Sequence, residues 1–353
     1  MIEIEVPVFP DPEHYDQRMA TGWFRSGPIL VRANLLPLDE QIRGLVQIRL
    51  PVDDPTGASR SARRRFRRNR ERFRVEFGPA KVDGARSALY EKTKARFMSF
   101  VSSALEPLVL GENRDVFDTR ECAVFDQDRL VAVSYFDVGR EAVAAQLALH
   151  DPDYAAYGLG TYTLLEEIDY ARTIDAVYYY PGYVVPGQPR FDYKMQIGRV
   201  QYLEGSQWRR RATPPRRVRA AERFRAEMKR LGRALRRHGL PDDPKFYAGF
   251  WLGLVPEFTD QPYLAGLVVW TLGRTSTGEL LLIELTTDPP RYRLTLAAHL
   301  DAIDLMEEYD PLGERADAYE LRALVEVECL TTGDAAPEIA AAAERATRAL
   351  DVA

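Results

Sequence analysis

Residues 150–194, HDPDYAAYGLGTYTLLEEIDYARTIDAVYYYPGYVVPGQPRFDYK, constrain the fold more than any other stretch of this chain. Asp151-Pro152-Asp153-Tyr154 reads as the polar end of a strand. Gly158-Leu159-Gly160 then turns into an amphipathic helix over Thr161–Arg172, and a Tyr-rich strand, Ala176–Tyr180, stops at Pro181-Gly182-Tyr183. Upstream, three successive strands are expected at Ala123–Phe125, Leu130–Phe136 and Ala142–Leu149, with turns at Gln127-Asp128 and Gly139-Arg140. A glycine turn that opens a helix leaves backbone N–H groups and the positive helix end facing outward. Such an end can cradle a phosphate or a developing oxyanion.

Further motifs precede this stretch in a fixed order: Gly22-Trp23-Phe24-Arg25-Ser26-Gly27, then Gln47-Ile48-Arg49-Leu50-Pro51-Val52, then Ser59-Arg60-Ser61-Ala62-Arg63-Arg64 with Arg68-Asn69. A strand ending in Asp, Ala132-Val133-Ser134-Tyr135-Phe136-Asp137, comes next. Leu159-Gly160, Tyr180-Pro181-Gly182-Tyr183 and Tyr193-Lys194 complete the series. Taken together, residues 12–203 resemble the arginyl-tRNA–protein transferases and their bacterial leucyl-transferring relatives. The resemblance implies an N-acetyltransferase-like (GNAT-like) catalytic domain, which agrees with the order of three strands, glycine turn, helix and strand. It also implies transfer of an aminoacyl group, arginyl or leucyl, from charged tRNA to the N-terminal α-amine of a protein or peptide.

Two positions depart from the family pattern. Phe24 stands where a first Arg is usual. The family's cysteine cluster is also missing: the matching segment Val31–Gly44 has no thiol, and the chain's two cysteines, Cys122 and Cys329, lie elsewhere. Two distant cysteines and four histidines at unrelated spacings suggest no metal site, so no metal or other cofactor is expected.

Composition bounds the partners. A content of 46% hydrophobic and 29% charged residues is that of a globular protein, and the first residues show no basic segment followed by an apolar core. Apolar runs such as Tyr263–Leu272 are too short to span a bilayer, so a cytoplasmic protein without membrane contact is expected. The net charge of −5 conceals segregation. Residues 60–74 carry nine arginines against Glu71, and residues 209–237 carry thirteen basic residues against Glu222 and Glu227. These windows hold +8 and +11, which leaves −24 on the remainder. Such stripes attract phosphate backbones, and Arg60, Arg63, Arg64, Arg67, Arg68, Arg209, Arg210 and Arg211 are the candidate tRNA contacts. A solvated helix face is the competing reading for each run.

The expected class is α+β: an N-terminal region with the Arg-rich helix (1–86), a GNAT-like domain (87–203), a Pro/Arg-rich linker with a basic helix (204–244) and a C-terminal α/β unit of unassigned role (245–353). Within these, residues 1–55 read as short strands and turns, 59–77 as a helix with Phe66, Phe73 and Phe77 on one face, and 87–108 as a further helix. In the last unit, 246–255, 264–272, 279–286 and 321–330 read as strands, 294–308 as a helix, and an alanine-rich helix closes the chain.

Transfer from an activated ester to an α-amine, whose ordinary pKa is about 7.7–8.0, needs little deprotonation and no catalytic triad. The N–H groups of Gly160 and Thr161 are the candidate oxyanion donors. Asp137 is a candidate to orient the amine or accept its proton, with turn capping as the competing role. Asp151 and Asp153 are candidates to recognise the charged aminoacyl amine, with a strand-end structural role as the competing reading and Tyr154 beside them in the candidate substrate site. Tyr179, Tyr180 and Tyr183 are candidates to stack on the terminal adenine, with core packing as the competing role. Arg25, Arg49 and Lys194 are candidates to bind an acidic acceptor side chain or phosphate, and Ser26 and Tyr193 complete the candidate substrate site. Two alternatives stay open: an acyl-CoA N-acyltransferase, and a non-catalytic RNA-binding homologue.

Overall fold

The computed structural model describes residues 2–350 other than 39, 55–56, 95–96, 98–100, 111–115, 214, 256–260, 288, 305–308 and 311–316. Asp11 accepts a hydrogen bond from the His14 N–H (2.9 Å) and Pro12 sits in the first turn, so a helix, α1 (Pro12–Ala20), starts there. It lies inside the region expected to hold only strands and turns. Around it, β1 (Ile2–Glu5), β2 (Phe24–Ser26) and β3 (Ile29–Ala33) form a small sheet, β4 (Leu35–Leu38) and β5 (Gln41–Gly44) form a hairpin, and β6 (Val46–Pro51) joins the large sheet.

Helix α2 (Arg60–Arg72) is capped by the Ser59 hydroxyl and is shorter than expected. After Phe73 the chain becomes an edge strand, β7 (Arg74–Pro79), paired with the start of the meander. The three phenylalanines satisfy helical spacing yet serve two elements. Phe73 packs against Tyr157 and Tyr162 at the helix end, and Phe77 stacks on Tyr170 from the strand (4.9 Å between centroids). The helix expected over 87–108 is also divided. α3 (Gly84–Lys94) is followed by β8 (Val101–Ser102) and α4 (Glu106–Val109), where Pro107 lacks the N–H that continuing a helix from upstream requires. Phe100 lies outside the described residues.

The meander forms as expected from β9 (Thr119–Asp126), β10 (Arg129–Val138) and β11 (Ala142–His150). Gln127 adopts φ 57° in the two-residue turn between the first two. α5 (Leu159–Thr173) then crosses over, and β12 (Tyr178–Tyr180) returns parallel to β11. β13 (Tyr183–Val184) pairs with β6, and β14 (Gln201–Glu204) with β15 (Gln207–Arg210) forms an unanticipated hairpin, placing Arg209 and Arg210 on a sheet edge. The sheet runs β15-β14-β6-β12-β11-β10-β9-β7. β12 matches β11 only where Tyr178–Tyr180 oppose Ala142–Ala144, although β11 continues to His150. Pro181 has no N–H to donate and Gly182, at φ 82°, turns the chain away, so the two strands split.

Beyond the hairpin, α6 (Arg219–Arg237) is the second basic helix and ends before Gly239. A six-stranded sheet in the order β21-β16-β17-β18-β19-β22 follows. Its strands are β16 (Lys245–Tyr247), β17 (Val268–Arg274), β18 (Leu280–Leu285), β19 (Tyr292–Asp304), β21 (Tyr319–Glu320) and β22 (Arg322–Gly333); β20 (Tyr309–Asp310) pairs instead with β8. α7 (Ala336–Ala349) closes the described chain. Two expectations are corrected. Residues 246–255 keep only a short strand before a 3-10 turn at Ala248–Leu254, in a stretch interrupted by Gly249 and Gly253. The segment read as the helix 294–308 is β19, paired on both sides with β18 and β22; residues 305–308 lie outside the description. One apolar cluster joins Leu35, Leu38 and Ile42 to Phe224 and Leu231 of α6 and to Trp270 and Ile283, so the first strands share a core with the last unit. Among the described residues no helix is long and apolar enough to cross a membrane.

Candidate functional site

The split between β11 and β12 is lined by the start of α5 on one side and by the segment after β13 on the other. Gly158 holds φ 61° and ψ 49°, the left-handed region, and joins the 3-10 turn Pro152–Tyr157 to α5. A side chain there would strain the backbone and meet Arg65 of α2 at 2.9 Å. Gly158→Ala is expected to lower stability by about 1–2 kcal/mol, the usual left-handed cost, read by thermal denaturation. Unchanged stability would mean that the turn relaxes. The Gly158 carbonyl accepts from the N–H groups of Thr161 (3.1 Å) and Tyr162 (3.2 Å). Thr161 is buried, so its expected donor is already committed within the helix, and of the two only the Gly160 N–H lacks a backbone partner among the described residues.

Helix α2 grips this turn. Asn69 Nδ2 donates to the Tyr157 carbonyl (3.0 Å), Arg68 donates to the Ala156 carbonyl (3.3 Å), and Arg72 reaches the Tyr157 hydroxyl. The outer face of α2 differs from the face that grips. Arg70 is paired with Glu166 and Asp169, and Arg72 with Asp126, whereas Arg60, Arg63, Arg64 and Arg67 are exposed and have no ion-pair partner among the described residues. The solvated positive face therefore adjoins the glycine turn. Arg209, Arg210 and Arg211 are exposed on the far edge, beside Gln207, Asp54 and Glu204 respectively.

The opposite lip is the 3-10 segment Pro189–Gln196. Tyr193 lies 3.9 Å from the place a Gly160 side chain would start, and Lys194 Nζ donates to the Tyr183 carbonyl (3.2 Å) beside Gly182. Burial pushes the Tyr183 and Tyr193 phenols up to about 12. It also draws the Lys194 ammonium down to about 8, against the opposing charge of Glu167. Glu167 is fully buried on the sheet side of α5, where desolvation raises it to about 7 against the Ser134 and Tyr179 hydroxyls. Glu167 and Arg65 escaped the sequence reading. Glu167 follows Leu164 by three residues on an apolar helix face, so only that periodicity could have placed it inward.

The other candidates form separate clusters. Arg25 and Asp137 meet in a buried ion pair (2.7 Å), with Asp137 also receiving the Thr119 and Tyr15 hydroxyls, and Arg25 donating to the Gly27 and Val109 carbonyls. Asp137 borders a cavity of about 460 Å³ shared with Asp11, Tyr15 and Phe117. Ser26 is exposed beside this cluster on β2. Arg49 donates to Gln201 (2.9 Å) and Tyr180 (3.4 Å) and lies over Tyr178 and Trp208, so it is held by aromatic packing. Asp151 does not end a strand but caps the turn. Burial opposes its ionisation, yet the Asp153 N–H, Lys92 and Arg129 outweigh that and hold its carboxyl below the usual range. Asp153 is exposed, and Tyr154 donates to Asp126 (2.9 Å). Cys122 is buried in β9, its thiol pushed up by desolvation.

Residues 81–204 match the family model described as "Arginine-tRNA-protein transferase, C terminus". An aspartate/glutamate leucyltransferase of Leptospira interrogans is 23% identical over 201 residues, 54% of this chain and 76% of that protein. One from Acinetobacter baumannii is 34% identical over 87 residues, covering 25% of this chain but only 32% of that protein. Among solved structures, FemX overlaps with a TM-score of 0.37 at 10% identity, over 56% of this chain and 67% of that one. The C-terminal domain of a putative lysylphosphatidylglycerol synthetase from Agrobacterium fabrum gives 0.32 at 12%, over 42% and 48%. Scores this low carry no fold argument. The sequence matches define the class, a tRNA-dependent aminoacyltransferase. Within it, the match over residues 81–204 and the leucyltransferase relatives support the arginyl/leucyl-tRNA–protein transferase family.

Proposed function

We propose that this chain transfers a leucyl or arginyl group from charged tRNA to the α-amine of a protein or peptide whose first residue is acidic, in the cytoplasm and without a cofactor. The observation that carries this reading is the union of two features: an exposed arginine face on α2 without ion-pair partners among the described residues and, gripped by the same helix, the glycine turn at the β11–β12 split. Phosphates on Arg60, Arg63, Arg64 and Arg67 would bring the tRNA 3′ end toward Gly160, with Arg68 bridging helix and turn and Arg209–Arg211 extending the contact. The acidic acceptor follows from the names of the relatives, aspartate/glutamate leucyltransferases. Three antiparallel strands, a crossover helix and a parallel strand that then splits away support a GNAT-like reading of the catalytic unit around residues 87–203. No chemistry is assigned to residues 245–353.

In this reading the ester carbonyl lies at the start of α5, where the Gly160 N–H meets the developing oxyanion. Tyr183 and Tyr193 wall the split. Asp137 and Arg25 act as positioning residues that fix the ends of β10 and β2. The test incubates the protein with a mixture of charged tRNAs and peptides differing only in their first residue, read by mass spectrometry. One added aminoacyl residue on acidic N-termini is expected. Acetylation from acetyl-CoA with charged tRNA ignored would overturn the reading. Reversing Arg63, Arg64 and Arg67 to Glu should weaken tRNA binding and flatten its salt dependence, each lost phosphate contact removing a slope of about 0.7–0.9. An unchanged affinity and slope would remove α2 from the tRNA site.

A further inference from the structure

Glu167 is fully buried on α5 and, among the described residues, has no direct ion pair. Its Oε2 accepts from the Tyr179 hydroxyl (2.5 Å), while Oε1, for which the Ser134 hydroxyl is the nearby donor, has no hydrogen bond of normal geometry among the described residues. Burying a carboxylate on these terms is unfavourable, and packing alone would be served as well by an apolar side chain. The neighbours of Glu167 are the Tyr179 and Ser134 hydroxyls, and the positive charge that acts on it is Lys194, which sits at the split. The segment Pro189–Gln196 forms the lip opposite α5, with Tyr193 against Gly160 and Lys194 against Gly182, and among the described residues Lys194 Nζ donates to the Tyr183 carbonyl alone. Its surroundings are otherwise aromatic, with Tyr183 and Phe191 ring centroids at 5.6 and 5.7 Å.

The geometry points to the Lys194 amine as the proton carrier of aminoacyl transfer, with Glu167 as the buried positioning residue that sets its protonation. This rests on the transfer reading above. The acceptor α-amine attacks the ester carbonyl, forming the new C–N bond; neutral Lys194 takes the proton released from that nitrogen. As the bond from the carbonyl carbon to the ribose oxygen breaks, the Lys194 ammonium returns the proton to that oxygen. Lys194 ends neutral and nothing else is consumed. Two neighbouring values fit the step: Lys194 is drawn down to about 8 by burial, and an acceptor α-amine has an ordinary value of about 7.7–8.0, so the proton passes between near-equal bases. The groups facing the pair are Tyr183 from β13, Tyr193 from the same segment as Lys194, Tyr179 from β12, Ser134 from β10 and Cys122 from β9. None of these carries a charge that acts on Lys194; Glu167 opposes the loss of charge on it.

The test uses the full chain with charged tRNA and an acidic-N-terminal peptide. Lys194→Arg keeps the charge but cannot release a proton at neutral pH; kcat should fall by about 10²–10⁴-fold with KM for tRNA unchanged. In Glu167→Gln the charge that holds the Lys194 ammonium together is gone, so neutral Lys194 persists to lower pH and the acid limb of kcat moves down. A purely structural role would lower kcat at every pH without moving the limb. A second readout needs no turnover: competitive labelling of Lys194 with acetic anhydride against pH, read by mass spectrometry. The parent should show a midpoint of about 8, and Glu167→Gln a lower one. Tyr179→Phe, which removes only the hydroxyl on Glu167, serves if Glu167→Gln does not fold. Full kcat in Lys194→Arg, or labelling at the ordinary lysine value of about 10.4, would overturn the assignment. A parent that transfers nothing, with the labelling midpoints as expected, would overturn the transfer reading and leave the Lys194–Glu167 coupling standing.

Discussion

Asp137→Ala is expected to lose about 3–5 kcal/mol of unfolding free energy, the usual consequence of stranding one member of a buried ion pair. Arg25 cannot shed its charge and its side chain is 2% exposed, so water does not replace the lost carboxylate without opening the structure. The damage should extend beyond one contact, because Asp137 also gathers the Tyr15 hydroxyl of α1 and the Thr119 hydroxyl of β9. α1, β2, β9 and β10 are thereby tied at one point. Equilibrium urea unfolding of parent and variant measures the loss, and a change under about 1 kcal/mol would mean that the guanidinium is rehydrated in place. Pairing the change with Arg25→Met removes the stranded charge and should recover part of the stability, since replacing both members of such a pair by apolar groups is often near neutral. The same comparison separates positioning from direct chemistry. If Asp137 acts only through Arg25, the double variant regains fold and transfer together; a stable double variant without transfer would return Asp137 to the reacting groups.

What the sequence made legible is local. The meander, the crossover helix and the parallel strand follow from short-range periodicity and turn residues, and Gly158 and Gly182 do adopt the positive φ that their turns require. The misread elements are those whose patterns satisfy two periods. Leu294, Leu296 and Ala297 fit a helix as well as a strand, and pairing with β18 and β22 decides the matter. Phe66, Phe73 and Phe77 divide between α2 and β7 for the same reason. α1 announced itself by Asp11-Pro12, a cap signature overshadowed by the strand-like residues on either side. The site divides in the same way. Gly160, Tyr193 and Lys194 were legible as motif residues, whereas the pairing of Arg25 with Asp137 spans 112 positions, and no local pattern predicts it. Glu167 was hidden because its meaning depends on which face of α5 turns to the sheet.

Gly160→Val should abolish transfer in short incubations while leaving fold and tRNA affinity nearly intact. The fold argument is steric. Gly160 sits in ordinary helical backbone, and a Cβ there would first meet Tyr193 Cε2 at 3.9 Å, a normal contact distance, so the first side-chain carbon fits without backbone movement. A side chain at this position even removes the flexibility that glycine brings to a helix, worth about 0.8–1.0 kcal/mol between Gly and Ala. The affinity argument is that the arginines of α2 approach the turn at Ala156, Tyr157 and Gly158, not at Gly160. The activity argument rests on the unpaired N–H. Valine methyl groups would fill the space between that donor and Tyr193, where the reacting carbonyl has to lie, and losing one oxyanion donor lowers kcat by about 10²–10³-fold. Gly160→Ala, with one carbon in the same gap, should fall between parent and Val. Thermal denaturation, tRNA binding and transfer are measured on the same preparations. A stable Gly160→Val protein with full transfer activity would move the chemistry away from the start of α5, and a parallel loss of stability and transfer would show that Gly160 serves packing instead.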